Sequence, residues 1–140
     1  MKLFIASDHA GFDLKEELKK LHDDIEWTDL GPDSDQRVDY PDYADKVARA
    51  IIDDPKQMGV LICGSGQGMA IKANRYPQIR AALCWNEDIA ILSRGHNDAN
   101  ILCLGARHTT ADHAADILTA FINAEFEGGR HLDRVKKLGK

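Results

Sequence analysis

Met58-Gly59-Val60-Leu61-Ile62-Cys63-Gly64-Ser65-Gly66-Gln67-Gly68-Met69 is an apolar run of strand length that ends in a cysteine and passes through three glycines into a helix-forming segment. A strand, a tight glycine turn and a helix in that order form half of a β–α–β unit, and a strand so uniformly apolar is one covered on both faces. Glycine lets a ligand approach the main chain, and the amides that open a helix carry unpaired N–H donors at the positive end of its dipole. A thiol held at such a turn ionises more readily than a free one. The stretch therefore predicts a parallel α/β fold and a reactive base or nucleophile beside an anion-stabilising loop.

The same alternation extends in both directions. Strand-like runs at Lys2–Ala6, Ile25–Thr28, Val60–Cys63, Arg80–Trp85 and Asn100–Leu104 are each followed by a helix-length segment, at about residues 11–22, 41–53, 66–74, 87–94 and 111–124. Five β–α units predict a five-stranded parallel sheet with helices on both faces. Tyr43, Val47, Ala50 and Ile51 share one face of the second helix, and Ile89, Leu92 and Ser93 one face of the fourth. Pro41 suits the first position of its helix. Residues 125–140 are polar and basic, set off by Gly128-Gly129, and read as an arm rather than core.

The chain of 140 residues is 44% hydrophobic and 29% charged, which suits one domain over residues 1–140 with one core. A net charge of −5, with Lys and Arg dispersed, argues against nucleic acid or an anionic membrane as partner and leaves a small molecule. No segment has the length and apolarity of a bilayer span, and the N-terminal apolar run is too short for a signal peptide. Cys63, Cys84 and Cys103 are odd in number and lack a CxxC spacing, so a reducing cytoplasm is expected. Cys84 and Cys103 lie inside apolar runs and read as inert core thiols.

Ligands of open parallel sheets bind beyond the carboxyl ends of the strands. Two such ends carry functional groups here: Ser7-Asp8-His9-Ala10-Gly11 and Cys63-Gly64-Ser65-Gly66. They converge if the first and third strands are neighbours. Asp8 also suits a helix N-cap. A third cluster, Ser93-Arg94-Gly95-His96-Asn97-Asp98, precedes the fifth strand and so lies at the opposite edge of the sheet, a strand length of roughly 16–20 Å away. His96 is then either structural or supplied to the site of another subunit, and a two-fold dimer with shared sites is the favoured expectation. Arg107, Arg130 and Arg134 suit a phosphate, although spacing alone favours a solvated basic face for the last two.

Other chemistries fail on spacing. Gly64-x-Gly66-x-Gly68 is not the dinucleotide GxGxxG, no GxxxxGK[ST] exists, and a Cys-x5-Arg phosphatase loop would need arginine where Met69 stands. His108 and His113 do not face together on a helix, and no HExxH or Cys/His ligand set is present, so no metal is expected.

Six strings occur in a telling order: Ser7-Asp8-His9-Ala10-Gly11, Asp39-Tyr40-Pro41, Cys63-Gly64-Ser65-Gly66-Gln67-Gly68, His96-Asn97-Asp98-Ala99-Asn100, Gly105-Ala106-Arg107 and Glu127-Gly128-Gly129-Arg130-His131. Together they resemble the type B ribose-5-phosphate isomerases, a family that includes galactose-6-phosphate and allose-6-phosphate isomerases. The resemblance spans nearly the whole chain. It implies a single-domain Rossmann-like α/β/α sandwich with a C-terminal helical arm, a dimer or tetramer, no cofactor, and interconversion of ribose 5-phosphate and ribulose 5-phosphate in the pentose phosphate pathway.

By that resemblance Cys63 is the base that moves a proton between C1 and C2, and His96 assists opening of the furanose ring. Ser65 and the amides of Gly64, Ser65, Gly66, Gln67 and Gly68 stabilise the enediolate, and Asp8 holds or shuttles hydroxyl protons. Tyr40 and Asn97 contact the sugar, while His9, Arg107, Arg130 and Arg134 hold the phosphate. Some relatives carry a glutamate just after the last loop glycine in place of the cysteine; Met69 there assigns this chain to the cysteine-based branch. Ser65 replaces the threonine of many members and keeps the hydroxyl. The rival readings are a hexose-6-phosphate isomerase with a roomier pocket and a catalytically silent sugar-phosphate-binding protein.

Overall fold

The computed structural model describes residues 1–139. Five strands, β1 (Lys2–Ser7), β2 (Glu26–Asp29), β3 (Met58–Cys63), β4 (Ala81–Leu83) and β5 (Ile101–Gly105), form one sheet of order β2-β1-β3-β5-β4, and every pairing is parallel. Six helices accompany them: α1 (Phe12–Leu21), α2 (Tyr40–Asp53), α3 (Gln67–Ala73), α4 (Glu87–Asn97), α5 (Ala111–Asn123) and α6 (Arg130–Leu138). The strand order reverses between β1 and β3, which makes the crevice above that pair the topological switch point of the sheet.

Period-two alternation assigns each strand residue to a face. Leu3, Ile5, Val60, Ile62, Leu102 and Leu104 point to one side, where α1 and α5 add Leu14, Leu18, Ile117, Leu118 and Phe121. Ala6, Leu61, Cys63, Ile101 and Cys103 point to the other and meet Ala44, Val47, Ala48 and Ile51 of α2 and Met69 and Ala73 of α3. Burial of these side chains on both faces is what holds the central strands in place. The architecture is the single-domain α/β/α sandwich with a parallel sheet that the pattern predicts, and the C-terminal arm is helical. Among the described residues no helix is long and apolar enough to cross a membrane.

The differences are local. The buried face of α2 is Ala44, Val47, Ala48 and Ile51, shifted from the expected set because the small alanines let the helix approach the sheet. In α4 the buried residues are Ala90, Ser93 and Gly95, while Ile91 and Leu92 are 46% and 44% exposed. The expected Ile89/Leu92/Ser93 face is therefore rotated, and two large apolar side chains are left outside the core. α4 also continues past Arg94 through Gly95 and stops at Asp98, which adopts φ 48° as its left-handed C-cap, so His96 and Asn97 occupy a final helical turn rather than a loop. β4 is shorter than the apolar run suggests, as befits an edge strand.

Beneath the β2–α2 connection lies a buried cation. Lys15 is fully buried, and its Nζ donates to Asp29 Oδ1 and Oδ2, each at 2.9 Å, and to Pro32 O at 2.7 Å. Lys19 Nζ adds a contact to Asp29 Oδ2 at 2.6 Å, and the carboxylate also accepts from Gly31 N–H at 2.8 Å. This network ties α1 to the chain leaving β2.

Candidate active site

The switch-point crevice gathers the first group of expected site residues. β1 and β3 are hydrogen-bonded neighbours, with Ser7 in register with Ile62. Asp8, one residue beyond β1, is buried; its N–H donates to Ile62 O at 3.1 Å and its Oδ1 accepts from Gly11 N–H at 3.0 Å. Asp8 is therefore not the expected N-cap, since Gly11 holds that position without a side-chain cap bond; its Oδ1 instead closes the turn leading into α1, with the second carboxylate oxygen still available. Gly11 itself passes directly over the Ile62 carbonyl, where a Cβ would collide with main chain.

Across the crevice, Cys63 ends β3 opposite Gly105 of β5 and is 5% exposed, packed toward Met69 and the α2 side of the sheet. It is the most accessible of three unpaired, buried thiols. Burial pushes the Cys84 thiol up to about 11 against a contact to Ser93 Oγ, and burial also holds Cys103 well above the ordinary thiol range. Those two are inert core residues.

The glycine loop is built by its neighbours. Ser65 Oγ accepts from Gln67 N–H at 3.3 Å, and Gly66 enters α3 with φ 77°, a conformation that costs an L side chain about 1–2 kcal/mol. A Cβ at Gly66 would also lie 2.5 Å from Leu83 Cδ1 and 3.0 Å from the Leu104 carbonyl carbon. Gly66→Ala is therefore expected to lower stability by about 2–3 kcal/mol, read as a shift in denaturant midpoint at unchanged slope. A variant as stable as the parent would contradict this account of the turn.

Arg107 folds over the loop, its N–H donating to Gly64 O at 3.0 Å and its guanidinium lying where a Gly64 Cβ would be 2.9 Å from Nη1. The ring of Tyr40 occupies the space a Cβ on Gly68 would fill. His9 is tied through Nδ1 to the Val38 main chain, at 3.3 Å from N and 3.2 Å from O. Asp8, His9, Val38 and Tyr40 line a cleft of about 410 Å³ together with Arg37. Sequence reasoning missed Arg37, which sits in a polar connection with no motif around it; only the fold carries it to the cleft.

The second group lies elsewhere in the same chain. His96 and Asn97 end α4, four residues before β5 begins at Ile101, whereas Cys63 is in register with Gly105 at the far end of β5. α6 packs beside this end of α4: the rings of His96 and His131 stack with centroids 4.2 Å apart and planes 13° from parallel. Arg130 and Arg134 belong to α6. Asn97 borders a separate cavity of about 340 Å³ with Arg80, Ala99 and Leu138. Within one chain, then, Asp8, His9, Tyr40, Cys63, Gly64–Gly68 and Arg107 converge, and His96, Asn97, Arg130 and Arg134 gather at the opposite edge.

The sequence holds no linear metal motif, yet folding brings donor atoms of His96, Glu127 and His131 within 4.8 Å of one another. Their arrangement suits an ion poorly. Rings stacked nearly parallel cannot both point their lone pairs at one metal. Desolvation holds His131 below the ordinary imidazole range, reinforced by His96, Arg130 and Arg134, so the surroundings disfavour added positive charge.

Residues 3–138 match the family described as Ribose/Galactose Isomerase. Ribose-5-phosphate isomerase B of Escherichia coli is 41% identical over 139 residues, covering 98% of this chain and 93% of its own. Among solved structures, a ribose 5-phosphate isomerase from Thermotoga maritima superposes with a TM-score of 0.95 at 49% identity, covering 99% of this chain and 97% of that one. Ribose-5-phosphate isomerase B from Mycoplasma genitalium, solved with bound ribulose-5-phosphate, gives 0.92 at 40% identity and covers 98% and 93%. Whole-length similarity at this level, in sequence and in backbone, means that the chain belongs to the Ribose/Galactose Isomerase family.

Proposed function

We propose that this protein interconverts ribose 5-phosphate and ribulose 5-phosphate as a step of pentose phosphate metabolism. The observation that carries the reading is its near-whole-length correspondence to a relative that holds ribulose-5-phosphate. His96 opens the furanose by protonating the ring oxygen as the C1–O4 bond breaks and the C1 hydroxyl gives up its proton; Cys63 as thiolate removes the proton from C2 of the open aldose, giving an enediolate, and returns it to C1. Asp8 relays the hydroxyl proton between O2 and O1, while Ser65 and the loop amides stabilise the developing oxyanion. Tyr40 and Asn97 bind the sugar, and His9 and Arg107 bind the phosphate.

His96, Asn97, Arg130 and Arg134 complete the site from a second copy of the chain. Their gathering at the opposite edge of the sheet supports this, as do the exposed apolar residues of α4 and α6, Ile91, Leu92, Leu132 and Leu138. Higher assembly to a tetramer is compatible with the same dimer. Three unpaired cysteines support a reducing cytoplasm.

Direct assay tests the substrate. Ribose 5-phosphate is expected to be turned over well ahead of allose 6-phosphate and galactose 6-phosphate; a preference for a hexose phosphate would overturn the pentose reading, and no turnover of any would leave a binding protein. Mixing tests the sharing. A hybrid of Cys63→Ala and His96→Asn subunits holds one doubly impaired site and one intact site, so activity is expected to return to about half that of the parent dimer per intact pair. Verified hybrids that stay inactive would refute the shared site.

A further inference from the structure

We infer that Glu127 is a positioning residue for His96, holding the imidazole by its Nε2 edge so that Nδ1 faces the sugar ring oxygen. Glu127 Oε2 lies 3.4 Å from His96 Nε2. Its place is built rather than incidental: the Glu127 N–H donates to Gly95 O at 3.0 Å, and the carboxylate rests over Gly95, where a Cβ would be 2.7 Å from Oε2. Immediately after it, Gly128 and Gly129 take φ 65° and 53°, turning the chain so that His131 comes back to stack on a face of the same histidine. His131 is buried, which limits the tilt of the pair. The charged and titratable groups around this pair are Glu127, Arg130 and Arg134, from the segment that leads into α6 and from α6 itself.

This inference rests on the proposed ring-opening role of His96. When the His96 imidazolium gives its Nδ1 proton to the ring oxygen, the C1–O4 bond breaks and the C1 hydroxyl passes its proton to the Asp8 carboxylate as the C1 carbonyl forms; the hydrogen left on the imidazole sits on Nε2, and the Glu127 carboxylate accepts from that position. It therefore selects the product tautomer and fixes the ring plane, as a carboxylate behind a catalytic histidine does in other acid–base sites. No proton is taken up by Glu127.

The test uses two aldoses: ribose 5-phosphate, which is mostly cyclic, and its 4-deoxy analogue, which lacks the hydroxyl needed to close a furanose and stays open. Glu127→Gln is expected to lower kcat on ribose 5-phosphate about tenfold or more while changing the open-chain analogue by less than about twofold. Glu127→Asp should lie between parent and Gln variant. Gly95→Ala, which displaces the carboxylate without removing its charge, should show the same substrate split. Equal losses on both substrates, or an unaltered ribose 5-phosphate rate, would overturn the inference. His96→Asn run in parallel separates the two readings: if it shows the split and Glu127→Gln does not, only the positioning role fails, whereas if His96→Asn itself shows no split, the ring-opening assignment falls and the inference with it.

Discussion

Cys63→Ala is expected to abolish isomerisation, lowering kcat by about 10³-fold or more while leaving the fold intact. The methyl that remains still fills most of the space at the end of β3, and a residue that is 5% exposed at the lip of the apolar layer loses only one sulfur of packing. Stability should therefore fall by no more than about 1–2 kcal/mol, so that circular dichroism and assembly size report an intact protein. The large effect on rate follows from position. The thiol stands where β3 gives way to a loop of main-chain donors, and without a base there the amides can stabilise an enediolate that nothing generates. Exchange of the C2 proton with solvent deuterium should disappear together with turnover. A Cys63→Ala variant that retains most of its activity would remove the thiol from the mechanism.

The largest stability effect is expected at Asp29. Removing its carboxylate by Asp29→Ala strands the ammonium of Lys15, which is fully buried and keeps Pro32 O, the Phe12 ring at 5.2 Å and the Glu16 carboxylate, 3.5 Å away. Breaking a buried pair from one side leaves an uncompensated charge, here worth about 3 kcal/mol after allowance for the contacts that remain, or ~10 °C in Tm for a domain of this size. Asp29→Ala combined with Lys15→Met should recover much of the loss, because the charge and its partner then leave together. A single variant that melts with the parent would refute this assignment.

The same carboxylate dictates a response to acid. Burial alone would raise the Asp29 carboxyl, but hydrogen bonds from Lys19 and Lys15 and from the Gly31 N–H overcome it and hold the group below the usual carboxylate range. The folded form is thus the stronger acid. Its contribution is present in full above the unfolded value of about 3.9 and is lost as pH falls through the lower, folded value. Acid titration of stability should show that loss in the parent and lack it in the Asp29→Ala, Lys15→Met double variant.

Much of this protein was legible along the chain, for reasons tied to particular residues. Val60-Leu61-Ile62 is apolar at successive positions because both faces of β3 are covered, and that continuity separates a central parallel strand from the alternating strand of a half-exposed sheet. The glycine loop was legible because a left-handed φ of 77° at the entrance to α3 favours glycine, and the opposite-edge position of His96 followed from a short connection into β5. What leaves a local signature in backbone sterics or burial period can be read from neighbours in sequence.

Other features depend on contacts between distant segments. The buried face of α4 was misread because a large side chain there, such as Leu92, remains exposed while Gly95 is buried, and which face turns inward is set by the packing of α5 and α6 rather than by α4 itself. Arg37 reaches the cleft through the path of the β2–α2 connection, Glu127 meets His96 because its N–H is bonded to Gly95 O, and His131 returns to the same ring through two positive-φ glycines. Sequence by itself determined the layered α/β sandwich, the thiol-bearing turn and the family. Tertiary structure alone decided which side chains at that turn meet, and that α6 brings His131 with Arg130 and Arg134 to His96 at the opposite edge, because such meetings depend on through-space distances that no local periodicity encodes.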